Sequence, residues 1–193
     1  MSRKKYITDD IDIFNAEGGV STEIGYDPFN ILTWQLSPNT FSVAAEDTAP
    51  EELFFKPDGS KMYVLGRAGD DIDEYALSTP WDITTATYTD QLSGLNASPS
   101  SESNPYGLFI SPDGINIYIT GHDRDQVIQW VMSTAWDIST GTYLREKDLL
   151  NQDGSSFSNP NAVNFKEDGL QMFVQSYLED IIINYTLSTA WDI

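Results

Sequence analysis

Cysteine is absent from this chain, and histidine occurs once, as His122. Without thiols there is no disulfide framework, no thiolate metal site and no thiol nucleophile. One histidine and no cysteine leave neither a catalytic triad nor a three-histidine metal site, so the sequence reads as non-enzymatic, with no catalytic and no metal-binding residue assigned. Positive charge is scarce as well. Ten Lys and Arg face 30 Asp and Glu, a formal charge of -20, which argues against a nucleic-acid backbone or an anionic membrane and suits a cation or a basic protein surface. No apolar run approaches the ~18 residues of a membrane span, and no apolar signal core follows the basic cluster Arg3, Lys4 and Lys5.

What the chain does have is repetition. "LSTPWDI" at 77–83 returns as "MSTAWDI" at 132–138 and "LSTAWDI" at 187–193, at an interval of 55 residues each time, with no insertion or deletion. Aligned on that interval, the segments share a proline (Pro50, Pro105, Pro160) and an Asp-Gly pair (Asp58-Gly59, Asp113-Gly114, Asp168-Gly169). They also share an aspartate (Asp70, Asp125, Asp180) and a Trp-Asp pair (Trp81-Asp82, Trp136-Asp137, Trp191-Asp192). Between these lie short apolar segments such as "ELFF", "KMYVLG" and "DIDEYAL", rich in Val, Ile, Tyr, Phe and Met and bounded by turn residues, which is the pattern of strands.

"KPDGS", "SPDGI" and "KEDGL" join the first two strands of each unit. Pro presets φ, Asp bonds its own backbone and Gly accepts positive φ, so a hairpin accounts for these residues. Calcium at the repeated Asp-Gly is the minor reading, because a spaced set of three or more oxygen ligands is missing, and no cofactor is expected. Asp70, Asp125 and Asp180 are expected to cap the turn into the third strand. A fourth strand falls around Tyr88 and Tyr143. Four antiparallel strands in ~55 residues cannot bury both faces alone, and radial stacking into a β-propeller solves that. Trp81, Trp136 and Trp191 then wedge each blade against its neighbour, with the following Asp tying the turn; sugar stacking is the rival reading for these rings.

The segment "LFFKPDGSKMYVLG", with "DDIDEYALSTPWDITTATY", resembles β-propeller repeats of marine bacteria and tailed bacteriophages built around F-x-P-D-G-x-x-M-Y-V and L-S-T-x-W-D-I. The resemblance covers about residues 50 to 193, with Glu167 in place of the turn Pro and Asn164 in place of an apolar residue in the last unit. It implies a non-enzymatic structural or interaction scaffold, most concretely a phage tail-associated virion protein. The alternatives are a glycan- or cation-binding propeller, extracellular or at the cell surface, and more remotely a propeller hydrolase. For a ligand, the candidate loops carry Tyr106, His122, Asp123, Tyr177 and Glu179; His122 itself reads as an exposed loop residue.

The expected organisation is an arm at 1–22, a lead-in with an outer blade strand at 23–49, and blades at 50–104, 105–159 and 160–193, the last incomplete. Residues 31–43 stand where a fourth strand belongs, so an N-terminal strand is expected to complete the last blade. Three blades fall short of the 4 to 8 of closed propellers, so the remaining blades come from other subunits or from further repeats of a longer chain, the second being favoured.

Overall fold

The computed structural model of the protein describes residues 38–193. The expected N-terminal arm at 1–22 lies outside the described residues. The first sheet is a meander of β1 (Pro50–Phe55), β2 (Lys61–Gly66), β3 (Asp71–Leu77) and β4 (Ala86–Leu92), hydrogen-bonded in that order. The second repeats it with β5 (Pro105–Ile110), β6 (Asn116–Gly121), β7 (Gln126–Met132) and β8 (Gly141–Asp148). The third has β9 (Pro160–Phe165), β10 (Gln171–Ser176) and β11 (Ile182–Thr186). All pairings are antiparallel. The first strands of the three sheets pack side by side, β1 on β5 and β5 on β9, so each sheet is a blade with its first strand at a common axis. The fold is all-β and propeller-like. Among the described residues no helix is long and apolar enough to cross a membrane.

Burial along each strand follows from its place in the blade. After its first residue, β2 is buried throughout, as is β6: β6 lies between the first and third blades, whereas β2 packs on the second blade with one face and on Phe41 and Val43 with the other. The outer strands β4 and β8 are largely solvated, with exposed residues interspersed along them. Tyr63, Leu65 and Ile72 of the first blade meet Leu108, Ile117 and Ile119 of the second in one core. Tyr118 and Val127 of the second meet Val163, Met172 and Val174 of the third in another.

The two repeated motifs are one device. In each blade the Trp backbone N–H donates to the carbonyl of the hairpin Gly: Trp81 to Gly59 at 3.0 Å, Trp136 to Gly114 at 2.9 Å and Trp191 to Gly169 at 3.0 Å. The indole lies over that glycine so closely that a Cβ on Gly114 would sit 2.3 Å from the Trp136 ring. The glycine therefore serves two needs, a φ of +74° and a vacant side-chain position. The Trp residues themselves adopt left-handed φ, +67°, +63° and +66° in chain order, a costly state for a bulky side chain. In that state the Trp carbonyl reaches the preceding blade. Tyr63 donates its hydroxyl to Trp136 O at 2.9 Å, and Tyr118 does the same to Trp191 O at 2.7 Å. Asp82 accepts from Thr84 N at 3.0 Å, and Asp137 accepts from the Ser139 hydroxyl at 2.7 Å.

The N-terminal strand expected at 31–43 lies mostly outside the described residues, and among the described residues no strand pairs with the outer edge of β11. Its described end forms no strand: Phe41 and Val43 pack on Met62, Val64 and Tyr75 of the first blade. That face is apolar and among the described residues has no blade before it, whereas β11 presents exposed Asn184 and Thr186. Asp70, Asp125 and Asp180 occupy left-handed positions at φ +51°, +52° and +56° at the turn into the third strand.

Trp136→Ala is expected to destabilise the fold by about 2–4 kcal/mol, somewhat below a fully buried aromatic because the ring is half-buried. Gly114→Val is expected to be at least as damaging, since it meets both the positive φ and the indole. Urea unfolding of both variants checks this; an unchanged midpoint for either removes the clamp as a source of stability.

Candidate active site at the blade axis

The inner strands share a register irregularity. Pro50 and Glu52 pair with consecutive residues of β2, leaving Glu51 as an extra residue. Tyr106 is the extra residue of β5 and Asn161 that of β9, by the same pairing shift. A bulge of this kind re-aims a side chain, and here it does so at one repeat position in all three blades. A second repeat position adds Arg67, His122 and Tyr177, each just beyond the second strand of its blade. Their backbone N–H groups donate to the carbonyls of Ala49, Asn104 and Asn159, each at 3.0 Å. Glu51, Tyr106, Asn161, His122 and Tyr177, with Asn159, line a cleft of about 650 Å³ at the axis.

Inside it the rings form a ladder. Tyr106 and His122 stack with centroids 4.0 Å apart, and Tyr177 continues the stack at 6.2 Å from His122. On the other side the Arg67 guanidinium lies 5.9 Å from the Tyr106 ring and donates through Nε to Glu51 at 2.8 Å. His122 is thus half-buried between two tyrosines and is not the exposed loop residue expected from the hydrophilic "GHDRD" around it. Burial lowers its pKa below the ordinary imidazole value, so the ring is neutral at pH 7. Two buried polar atoms in this cleft have no hydrogen-bond partner, His122 Nε2 and Asn161 Oδ1. Orphaned groups of this kind are rare enough in folded proteins to mark a position for a ligand or water.

Of the five candidate ligand residues, the fold brings together Tyr106, His122 and Tyr177. Asp123 instead accepts from the Ser103 hydroxyl and from Asn104 Nδ2, and Glu179 accepts from Ser158 N at 3.1 Å, so both are structural. Glu51, Arg67, Asn159 and Asn161 were missed. The available signal was the residue after each repeated proline, Glu51, Tyr106 and Asn161, which varies in chemistry against a fixed frame. Among the described residues no three His, Asp or Glu side chains are placed to hold a metal ion.

A separate group of carboxylates sits in the first blade. Asp73 is fully buried with neither carboxyl oxygen bonded, at a position held by Ile128 and Ile183 in the other repeats. Burial, then the nearby charge of Asp71, pushes its pKa up to about 7. Burial and the Asp47 carboxylate bring Asp71 to about 6. The native state therefore holds protons that the unfolded chain has released, so stability falls as pH rises from about 4, the ordinary carboxyl range, through 7. The melting temperature is expected to be several degrees lower at pH 8 than at pH 5, and Asp73→Asn is expected to recover much of that loss at pH 8. Equal gains for the variant at both pH values would mean that Asp73 is not the titrating group.

No protein-family model and no curated protein matches the sequence. Solved structures do match. A protein of Bacteroides fragilis provisionally called a 6-phosphogluconolactonase superposes with a TM-score of 0.53 at 15% identity, over 71% of this chain and 34% of its own. A functionally unknown protein of Desulfotomaculum acetoxidans gives 0.52 at 17%, over 74% and 41%. The periplasmic gluconolactonase of Pseudomonas aeruginosa gives 0.50 at 17%, over 71% and 36%. The chain thus spans between about a third and two fifths of the length of these structures.

At this identity the likeness establishes the fold. It also corrects the expectation of a non-enzymatic virion scaffold, because two of these propellers carry lactonase names and the fold is one that houses such proteins. The chemical ground for that expectation fails too. A missing three-histidine site does not exclude hydrolysis of an ester, for which a single neutral imidazole can serve as base.

Proposed function

We propose that the axial cleft binds and hydrolyses a small polyhydroxylated lactone. The observation that carries this reading is the convergence of three bulged residues, one per blade, on a cleft with an aromatic ladder and two unpartnered buried polar atoms. Each part suits such a ligand. The exposed face of Tyr177 can stack on the C–H face of a sugar-like ring, and Asn161 Oδ1 can accept from a ring hydroxyl. Neutral His122 takes a proton from water as the water oxygen attacks the lactone carbonyl. The ring C–O bond then breaks, and the imidazolium returns the proton to the departing alkoxide, giving a hydroxy acid. Arg67, held by Glu51 beside Tyr106, puts positive charge at the edge of the cleft, the sign that favours a developing oxyanion.

The names borne by the solved neighbours support the choice of a lactone over other esters. The test is hydrolysis of δ-gluconolactone in a pH-stat, corrected for the spontaneous rate. His122→Gln is expected to lower the catalysed rate by about 10²–10⁴-fold. The wild-type rate is expected to fall on acidification with an inflection below the ~6.5 of a free imidazole. Wild-type protein that adds nothing to the spontaneous rate, or a His122→Gln variant with full activity, removes the proposal.

A further inference from the structure

The two outer blades leave unpaired the faces that the inner interfaces bury. Leu53 on β1 is 52% exposed, while its repeat equivalents Leu108 and Val163, each seated against the preceding blade, are 4% and 3% exposed. Trp81, the equivalent of the Trp136 and Trp191 knobs, is 59% exposed because among the described residues no blade lies before the first. At the other end Ile182 on β11 is 69% exposed, while its equivalents Ile72 and Val127, each facing the following blade, are fully buried. Among the described residues the first blade therefore keeps a partly open face, with Met62 and Val64 covered by Phe41 and Val43 but Leu53 and Trp81 exposed, and the third blade keeps an open one around Ile182.

We propose that a second copy of this chain closes the ring head to tail, the third blade of each copy receiving the first blade of its partner. The argument is continuity with an interface the chain already makes twice. The same surface pair buries Tyr63 and Leu65 against Ile117 and Ile119, and Tyr118 and Val127 against Met172 and Val174. The third blade keeps part of the pattern. Phe173 keeps the ring, though not the donating hydroxyl, of Tyr63 and Tyr118, and Asn184 keeps an amide where Gln129 donates to Trp191 O at 2.8 Å. Beside exposed Leu53 the first blade keeps a groove of about 280 Å³, walled by Phe41, Val43, Met62, Val64 and Ile83 with Glu51 and Glu52 at its rim.

Charge agrees with this. Lys61 and Glu74, which form a 2.7 Å ion pair at the interface of the first two blades, are replaced at the open face by neutral Gln171 and Asn184. The buried carboxylate of the inner interface thus has no counterpart in the third blade. A heterologous contact closes when its rotation divides the circle, and twice three blades gives six, inside the 4 to 8 of closed propellers. One copy supplies the inner strands of three blades to the axis, and the partner would supply three more. This inference uses the blade interfaces alone and stands or falls apart from the hydrolytic reading.

Native mass spectrometry and sedimentation of the full chain at ~10 μM, well above the Kd of an ordinary obligate interface, are expected to give twice the 21.6 kDa chain mass. Leu53→Glu and Ile182→Glu alter opposite faces, and each alone is expected to give a folded monomer by circular dichroism. Mixing the two variants is expected to restore a dimer, because one of its two interfaces then pairs unaltered faces, a result that a face-to-face dimer cannot give. A monomeric wild type, whose open faces would then belong to further repeats or another protein, overturns the proposal. So does an open-ended series of oligomers, or a dimer indifferent to both substitutions.

Discussion

A tryptophan held in a left-handed conformation over a glycine is the contact on which the rest of the structure depends. Its backbone state costs on the order of 1–3 kcal/mol, and it occurs at Trp81, Trp136 and Trp191 alike. The cost is offset by what that state allows. The indole covers a glycine that has no side chain to obstruct it, the N–H closes on the same glycine's carbonyl, and the Trp carbonyl turns toward the previous blade. Hairpin, corner and blade spacing are thereby fixed by one residue pair. That is why Asp-Gly and Trp-Asp recur together at a constant 55-residue interval.

Constant spacing has a consequence at the axis. Because each blade meets the next in the same way, β1, β5 and β9 arrive side by side with the same bulge at the same height. The frame leaves two positions per blade free of packing duty, the bulged residue and the residue after the second strand. Those positions hold Glu51 and Arg67, Tyr106 and His122, Asn161 and Tyr177. Residues that lock blades together must recur, whereas residues that face the axis are free to differ.

This division explains what could be read from the sequence. Strand order, the Asp-Gly hairpins and the wedging role of Trp136 rest on local chemistry and period, and both are written in residue types. The bulges are not, because an extra residue in a ladder is a matter of register between strands, and Glu51, Tyr106 and Asn161 carry no shared type that would announce it. His122 was misjudged for a related reason. Its sequence neighbours Asp123 and Arg124 are exposed, but the rings that enclose it come from positions 106 and 177, on the start of β5 and the next blade. Asp73 was half legible: the 55-residue alignment sets it against Ile128 and Ile183, but only the fold shows that its carboxylate is buried with no partner.

Asymmetry within the repeat is what turns a scaffold into a site. Were the two free positions identical in every blade, the axis would present the same group at each step, and it could distinguish only ligands that share its symmetry. Here the first blade contributes an ion pair, the second a stacked tyrosine and imidazole, and the third an amide and an open aromatic face. A small ligand lying across them meets positive charge at one end, a neutral base at the centre and an acceptor at the other, a polarity suited to an ester with a hydroxylated ring. For the hydrolysis proposed above, the single histidine of the chain is then a matter of placement: one imidazole suffices where the frame holds it half-buried and neutral.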